Sequence, residues 1–252
     1  MTPTTEGLTP TEKLQRVIEA WKLSGESMGL APGVSASEIH EAEVQLGWNI
    51  PGSLRTLYEL GNGFFGSFGV VNLWALRSTS NEEIALVTGT AWHRSVGWPL
   101  PEELVLFGDE GADNMYGIWV SGSSEEPIVV ECGACFEEPC MAVAGDDIPS
   151  FLLGHSADYF LTTASDFYET EPMLDVLGVP AELRSFEREP SGSITAPDGR
   201  ELGVVYIDPE VTLRLIRWAN PGLPDPEPDP YDRSWTVDQI NEFVANRNRG
   251  NP

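Results

Sequence analysis

The stretch from Ser35 to Gly63, SASEIHEAEVQLGWNIPGSLRTLYELGNG, leaves the backbone few choices. Ser35 and Glu38 stand at capping-box spacing, which predicts a helix starting there. Ile39, Ala42 and Leu46 fall on one face of that helix. Gly47 ends it, and Trp48, Asn49 and Ile50 lead to Pro51, a favoured first residue for a second helix. Leu54, Leu57 and Tyr58 make the buried stripe of the second helix. Gly61-Asn62-Gly63 then stops it, because Gly and Asn tolerate positive φ. Glu43 lies one turn after Ile39, close to the apolar face. A carboxylate there is expected to bond backbone donors or an indole N–H as a structural residue, with a partner contact as the alternative.

The flanking segments extend the pattern. Thr9-Pro10-Thr11-Glu12 predicts a capped helix carrying Leu14, Val17, Ile18 and Trp21 on its apolar face. Phe64 to Gly69 reads as a glycine and aromatic turn, Val70 to Leu76 as a strand, Ser80 to Val87 as a short helix, and Trp92 to Pro101 as a loop. Leu104 to Phe107, Tyr116 to Val120 and Ile128 to Glu131 read as short strands joined by glycine-rich acidic connections, Gly108 to Asn114 and Ser121 to Pro127. Such linkage predicts an antiparallel sheet. Cys132 to Gly145 reads as an irregular loop. A helix follows from Asp147 to about Thr162, with Asp147 as cap and Pro149 in the first turn. Helices, then strands, then a helix give an α+β fold, an antiparallel sheet packed with helices.

Glu43, Leu46, Gly47, Pro51, Tyr58, Asn62 and Gly63, with Val105-Leu-Phe-Gly-Asp-Glu-Gly111 downstream, resemble the SMI1/KNR4 family of the SUKH superfamily over about residues 35 to 165. In that family an amphipathic helix with an internal Glu and a Leu-Gly pair precedes a Pro-initiated helix ending in Asn-Gly. An apolar strand and a Gly-Asp turn come later. The resemblance implies a SUKH-type immunity protein, one that binds and neutralises a bacterial polymorphic toxin such as a nuclease or deaminase. It also admits a cytoplasmic regulatory adaptor, since some members serve in cell-wall regulation.

The predicted organisation is a family-like domain with an N-terminal helix over 1–169 and a separable C-terminal extension over 170–252. The extension reads as a hairpin from Ile194 to Ile207, a helix from Asp208-Pro209 with Val211, Leu215 and Trp218 on one face, and a stiff Pro-rich acidic linker. A last helix, capped by Thr236 and Gln239, carries Val237, Ile240 and Val244.

Charge narrows the partners. The chain of 252 residues carries a net charge of −26. Eighteen of its acidic residues, and no Lys or Arg, lie between Ser95 and Leu183. This disfavours nucleic acid and anionic membrane, both polyanions, and favours a basic protein, a cationic ligand or a metal. The plain alternative is a solvated acidic surface. If the charge serves a partner, the expected contacts are Asp109, Glu110 and Asp113 in one loop, Glu137 and Glu138 in another, and Trp92 or Trp98 as an aromatic anchor. Buried core tryptophans are the competing reading.

Chemistry is harder to find. Cys132, Cys135 and Cys140 have a C-x2-C-x4-C spacing, but a structural zinc site wants four ligands, and His93 or His155 would have to be brought close. Reduced, partly buried thiols in a reducing cytoplasm are therefore the expectation. The three acids Asp109, Glu110 and Asp113 do not fit the EF-hand spacing. His40, His93 and His155 are scattered, with no phosphate loop and no nucleophile elbow. No metal, cofactor or catalysis is expected, and a metal-dependent hydrolase using the acidic turns is the alternative from another class. Met1 to Gly7 lacks the basic start and apolar run of a secretory signal.

Overall fold

Ile148–Thr162, labelled α5, is apolar on nearly every side, and a helix of that kind has to be enclosed. The computed structural model describes residues 5, 7–25, 31–68, 71–77, 84–110, 114–121, 125–133, 140–162, 169–184, 189–195, 201–206, 209–223 and 235–250. Asp147 opens α5, its carboxylate accepting the Ser150 N–H at 2.7 Å. One side of the helix meets a sheet. The others meet α1 (Pro10–Ser24), α6 (Glu171–Leu177) and α8 (Pro209–Ala219).

The sheet is an antiparallel meander in chain order: β1 (Phe64–Phe68), β2 (Val71–Leu73), β3 (Leu104–Asp109), β4 (Met115–Trp119), β5 (Val129–Gly133) and β6 (Cys140–Gly145). The α+β class expected from the sequence is the class observed. Two segments read otherwise from sequence are strands. Phe64–Phe68 pairs with β2 instead of forming a free turn, and Cys140–Gly145 pairs with β5 instead of staying irregular. Each neighbouring strand supplies hydrogen-bond partners that local propensity does not register.

Side chains alternate across the sheet. Val105, Phe107, Tyr116, Ile118 and Val129 face the inner core with α5. Leu104, Leu106, Trp119, Val130 and Cys132 face a second core on the outer side. That outer side is covered by α9 (Val237–Gly250), which buries Ile240 and packs Val237, Phe243 and Val244.

The helical entrance follows the sequence closely. Thr9 with Glu12 and Ser35 with Glu38 both form complete capping boxes, at the starts of α1 and α2 (Ala36–Leu46). Each cap contributes about 1 kcal/mol. Gly47 closes α2 in the left-handed conformation at φ 75°. The next helix, α3 (Gly52–Leu60), begins one residue later than expected, with Pro51 as its extended N-cap residue. At its far end only Gly63 of the Gly61-Asn62-Gly63 triplet has positive φ among the described residues. Asn62 serves through its side chain, whose oxygen accepts the Leu76 N–H at 2.7 Å.

Among the described residues of 170–252, the helices do not stand apart from this core. The hairpin, β7 (Glu189–Thr195) with β8 (Glu201–Tyr206), is a separate sheet, and its turn lies outside the described residues. Met173, Leu174 and Leu177 of α6, Leu183 of α7 (Ala181–Arg184) and Val211, Leu215, Trp218 and Ala219 of α8 nevertheless join the inner core. The Thr236–Gln239 capping box forms as expected and starts α9 on the outer face. A boundary at 169/170 therefore cuts through packed cores. Proline-rich composition marks a linker, but it says nothing of where the helices beyond it dock.

Candidate interaction surface

The aromatic residues singled out in the sequence converge on α4 (Leu86–Ser95), which packs against β3. Trp92 belongs to this helix and not to a loop. Gly89 makes the close packing feasible. A Cβ there would lie 2.3 Å from the Trp74 ring, so only glycine lets the helix rest on that indole. One turn on, His93 stacks on Trp74 with centroids 5.6 Å apart and planes 4° from parallel. Its Nδ1–H donates to the Gly89 carbonyl at 2.9 Å. Trp92 and Trp98 meet the imidazole edge-on at 4.7 and 5.0 Å.

Burial holds the His93 imidazole below its ordinary value, with the Gly89 carbonyl and the Asp109 charge opposing that shift. The ring is thus a neutral packing piece at neutral pH, walled by indoles. What the cluster offers outward is apolar surface. Trp92 is 50% exposed and Val96, one turn later, is 48% exposed. Arg94 between them spends its guanidinium on the carbonyls of Leu100, Pro101 and Leu104, which fixes the chain after α4. Trp98 is half-buried against the outer core.

Asp109 and Glu110 are held by neighbouring polar side chains. Asp109 ends β3, and its carboxylate accepts from Asn72 Nδ2 at 2.9 Å and from Trp74 Nε1. It orients the indole on which α4 rests. Glu110 accepts from the Asn114 amide and, at 3.3 Å, from the Tyr116 hydroxyl. The alternative of a simply solvated acidic surface does not hold for these two carboxylates, because polar side chains in and beside β2 and β4 reach them. Asp113, Glu137 and Glu138 lie outside the described residues.

Glu43 is structural in its geometry. Its Oε1 accepts the Ile50 N–H at 3.0 Å and the Arg55 guanidinium, tying the corner between α2 and α3. Cys132 is a buried thiol outside any disulfide, as expected, but Cys140 is disulfide-bonded. An odd cysteine count leaves room for a bridge plus one free thiol, so parity could not exclude it. Cys140 therefore holds no thiolate for zinc, and Cys135 lies outside the described residues. Among the described residues no three His, Cys, Asp or Glu side chains are grouped as a metal site, and no helix is long and apolar enough to cross a membrane.

Gly89, Trp74 and Val96 were missed in the sequence. The usable signal was Trp92 and Val96 at i, i+4 spacing, which counts only once the segment is taken as a helix.

The arrangement defines a class: an α+β protein that presents aromatic and apolar surface, without an evident set of reacting groups among the described residues. The family model described as SMI1 / KNR4 family (SUKH-1) matches residues 33–163, just over half of the chain, and the protein belongs to that family. No curated protein matches the chain. The matched stretch runs from just before α2 to the end of α5, leaving α1, α6, α7, α8 and α9 outside it.

Proposed function

We propose that this protein is a non-catalytic immunity protein that binds a bacterial toxin domain, a nuclease or deaminase, and blocks it. Family membership carries the reading, because SUKH proteins are generally non-catalytic and many act this way. Two features support it. A net charge of −26 suits a partner whose active cleft is basic for nucleic acid, and it accelerates encounter with such a partner. The exposed Trp92–Val96 pair suits an interface centre, where indoles anchor.

Co-expression with the product of the adjacent gene tests the proposal. A stoichiometric complex in which the partner's nuclease or deaminase activity is suppressed is the expected result. Failure to bind any such product, with the toxin activity unaffected, would remove the reading.

A further inference from the structure

The corner between α2 and α3 forms a groove with Val120, Ser121, Glu125, Glu126 and Pro127, which lie between β4 and β5. Two adjoining cavities, about 560 and 650 Å³, share Gly52, Glu125 and Glu126. Trp48, Arg55 and Trp119 line the first. Leu14 and Ile18 of α1 line the second, with Glu19 and Lys22 as its other charged residues.

Each wall is fixed by bonds already made. Arg55 is paired with Glu43, so its charge is spent on the corner. Glu126 accepts the Ser53 N–H at 2.9 Å and the Ser53 hydroxyl, fastening the loop to the start of α3. Asn241 of α9 accepts from Trp119 Nε1 at 2.9 Å and from the Ser121 hydroxyl at 3.0 Å. The groove is thus lined by α1 and the family-matched corner, and α9 anchors two of its wall residues, Trp119 and Ser121, through Asn241.

Two groups remain unmatched. Glu125 is exposed and has no ion-pair partner among the described residues. Trp48 Nε1 is buried and has no acceptor among them. An exposed carboxylate in a groove lined by the half-buried Trp48 ring, on a strongly acidic protein, is complementary to a guanidinium, which stacks on aromatic faces and bonds carboxylates through its planar fork. We propose that this groove seats an arginine side chain of the basic partner. This rests on the binding reading above and adds where and through which chemistry the partner is held.

The test uses the full chain, ¹⁵N-labelled, titrated with acetyl-Gly-Arg-Gly-amide and with the matching citrulline peptide. The Trp48 indole N–H signal, assigned by its loss in Trp48→Phe, is expected to shift saturably with the arginine peptide and at least several-fold more weakly with citrulline. Glu125→Gln, at an exposed position, is expected to keep the wild-type melting curve and weaken arginine-peptide binding about fivefold. No shift at Trp48, equal response to both peptides, or an unchanged titration in Glu125→Gln would overturn the proposal. Capture of the co-expressed partner separates it from the broader reading. Equal capture by wild type and Glu125→Arg sinks the groove and spares the immunity role. No capture by wild type sinks that role, and the peptide titration alone then decides the groove.

Discussion

Val105, Phe107, Tyr116 and Ile118 on the inner face of the sheet share one core with α5, which α1, α6 and α8 enclose in turn. Leu104, Leu106, Trp119 and Val130 on the outer face share theirs with α9, on which Ile240 is the fully buried side chain among those described. The inner side combines apolar packing with buried hydrogen bonds between its helices, such as Lys13 to the Ser150 hydroxyl at 2.7 Å and Trp21 Nε1 to the Ser156 hydroxyl at 2.8 Å. The outer helix and the residue leading into it add polar fastenings: Asn241 to Trp119, Arg247 to the Asp146 carbonyl, and Trp235 N–H to the Met141 carbonyl at 3.1 Å. Neither face is closed by the family-matched stretch alone. The segments outside 33–163 thus complete the fold, and the two faces differ in how much each segment matters.

The largest expected effect comes from removing residues 170–252. The fragment 1–169 loses α6, α7 and α8 from the inner core and α9 from the outer face. It is expected to be insoluble or to melt without cooperativity. A soluble fragment with a sharp calorimetric transition would break the comparison and restore the extension as a separable unit.

Single truncations sharpen it. Leu215→Ala, at a fully buried α8 position, is expected to cost about 2–5 kcal/mol in urea unfolding. Ile240→Ala is expected to cost less, about 1–3 kcal/mol, because its helix neighbours are half-buried and can relax around the lost volume. Equal costs would mean that the outer face is packed as tightly as the inner.

The same contrast explains what was legible in the sequence. Helix starts were legible because a capping box is local: Ser35 with Glu38, Thr9 with Glu12 and Thr236 with Gln239 each need four consecutive residues. β1 and β6 were not, because their strand identity depends on β2 and β5, which lie elsewhere in the chain. The candidate surface was half legible. Trp92 and Trp98 were singled out, but the imidazole between them and the glycine beneath were hidden by reading α4's second half as loop. Asp109 looked like a free loop carboxylate because nothing local reveals that Trp74, 35 residues earlier, points its indole N–H at it.

Acid should also probe the inner face. His155 packs against Phe151 at 4.4 Å and Tyr116 at 5.9 Å between ring centroids. Burial pushes its imidazole down from 6.5 to about 4. The folded state therefore binds fewer protons than the unfolded state in that window. This stability is complete above about pH 6.5 and is lost as pH falls toward 4. Because the ring keeps some exposure, the loss between pH 7 and 5 is put at ~1–2 kcal/mol. Burial raises Glu126, Asp146 and Asp158, which work in the opposite sense and gain stability as pH falls. The clean measurement is thus a difference: His155→Leu should flatten the fall of unfolding free energy between pH 7 and 5. An unchanged slope would place the acid sensitivity elsewhere.

The smallest effect on stability is expected at Trp92. Half of its surface is already in water, and its packing amounts chiefly to an edge contact with His93. Trp92→Ala should change unfolding free energy by about 0.5 kcal/mol or less, the range of ordinary surface substitutions. Trp98→Ala should cost more, since that indole is half-buried in the outer core. If Trp92 anchors the partner, its removal should raise Kd at least about 30-fold, the scale of an interfacial hot spot, mainly through faster dissociation. A charge change at the groove would instead act on the association rate and its salt dependence. Stopped-flow association and chase experiments with the co-expressed partner separate the two. A Trp92→Ala protein that melts like wild type and dissociates at the wild-type rate would leave the exposed pair on α4 as surface without a role in binding. One that melts several degrees lower would mean the edge contact supports the His93 stack, so that α4 is packed as tightly on the outer side as the helices of the inner core are on theirs.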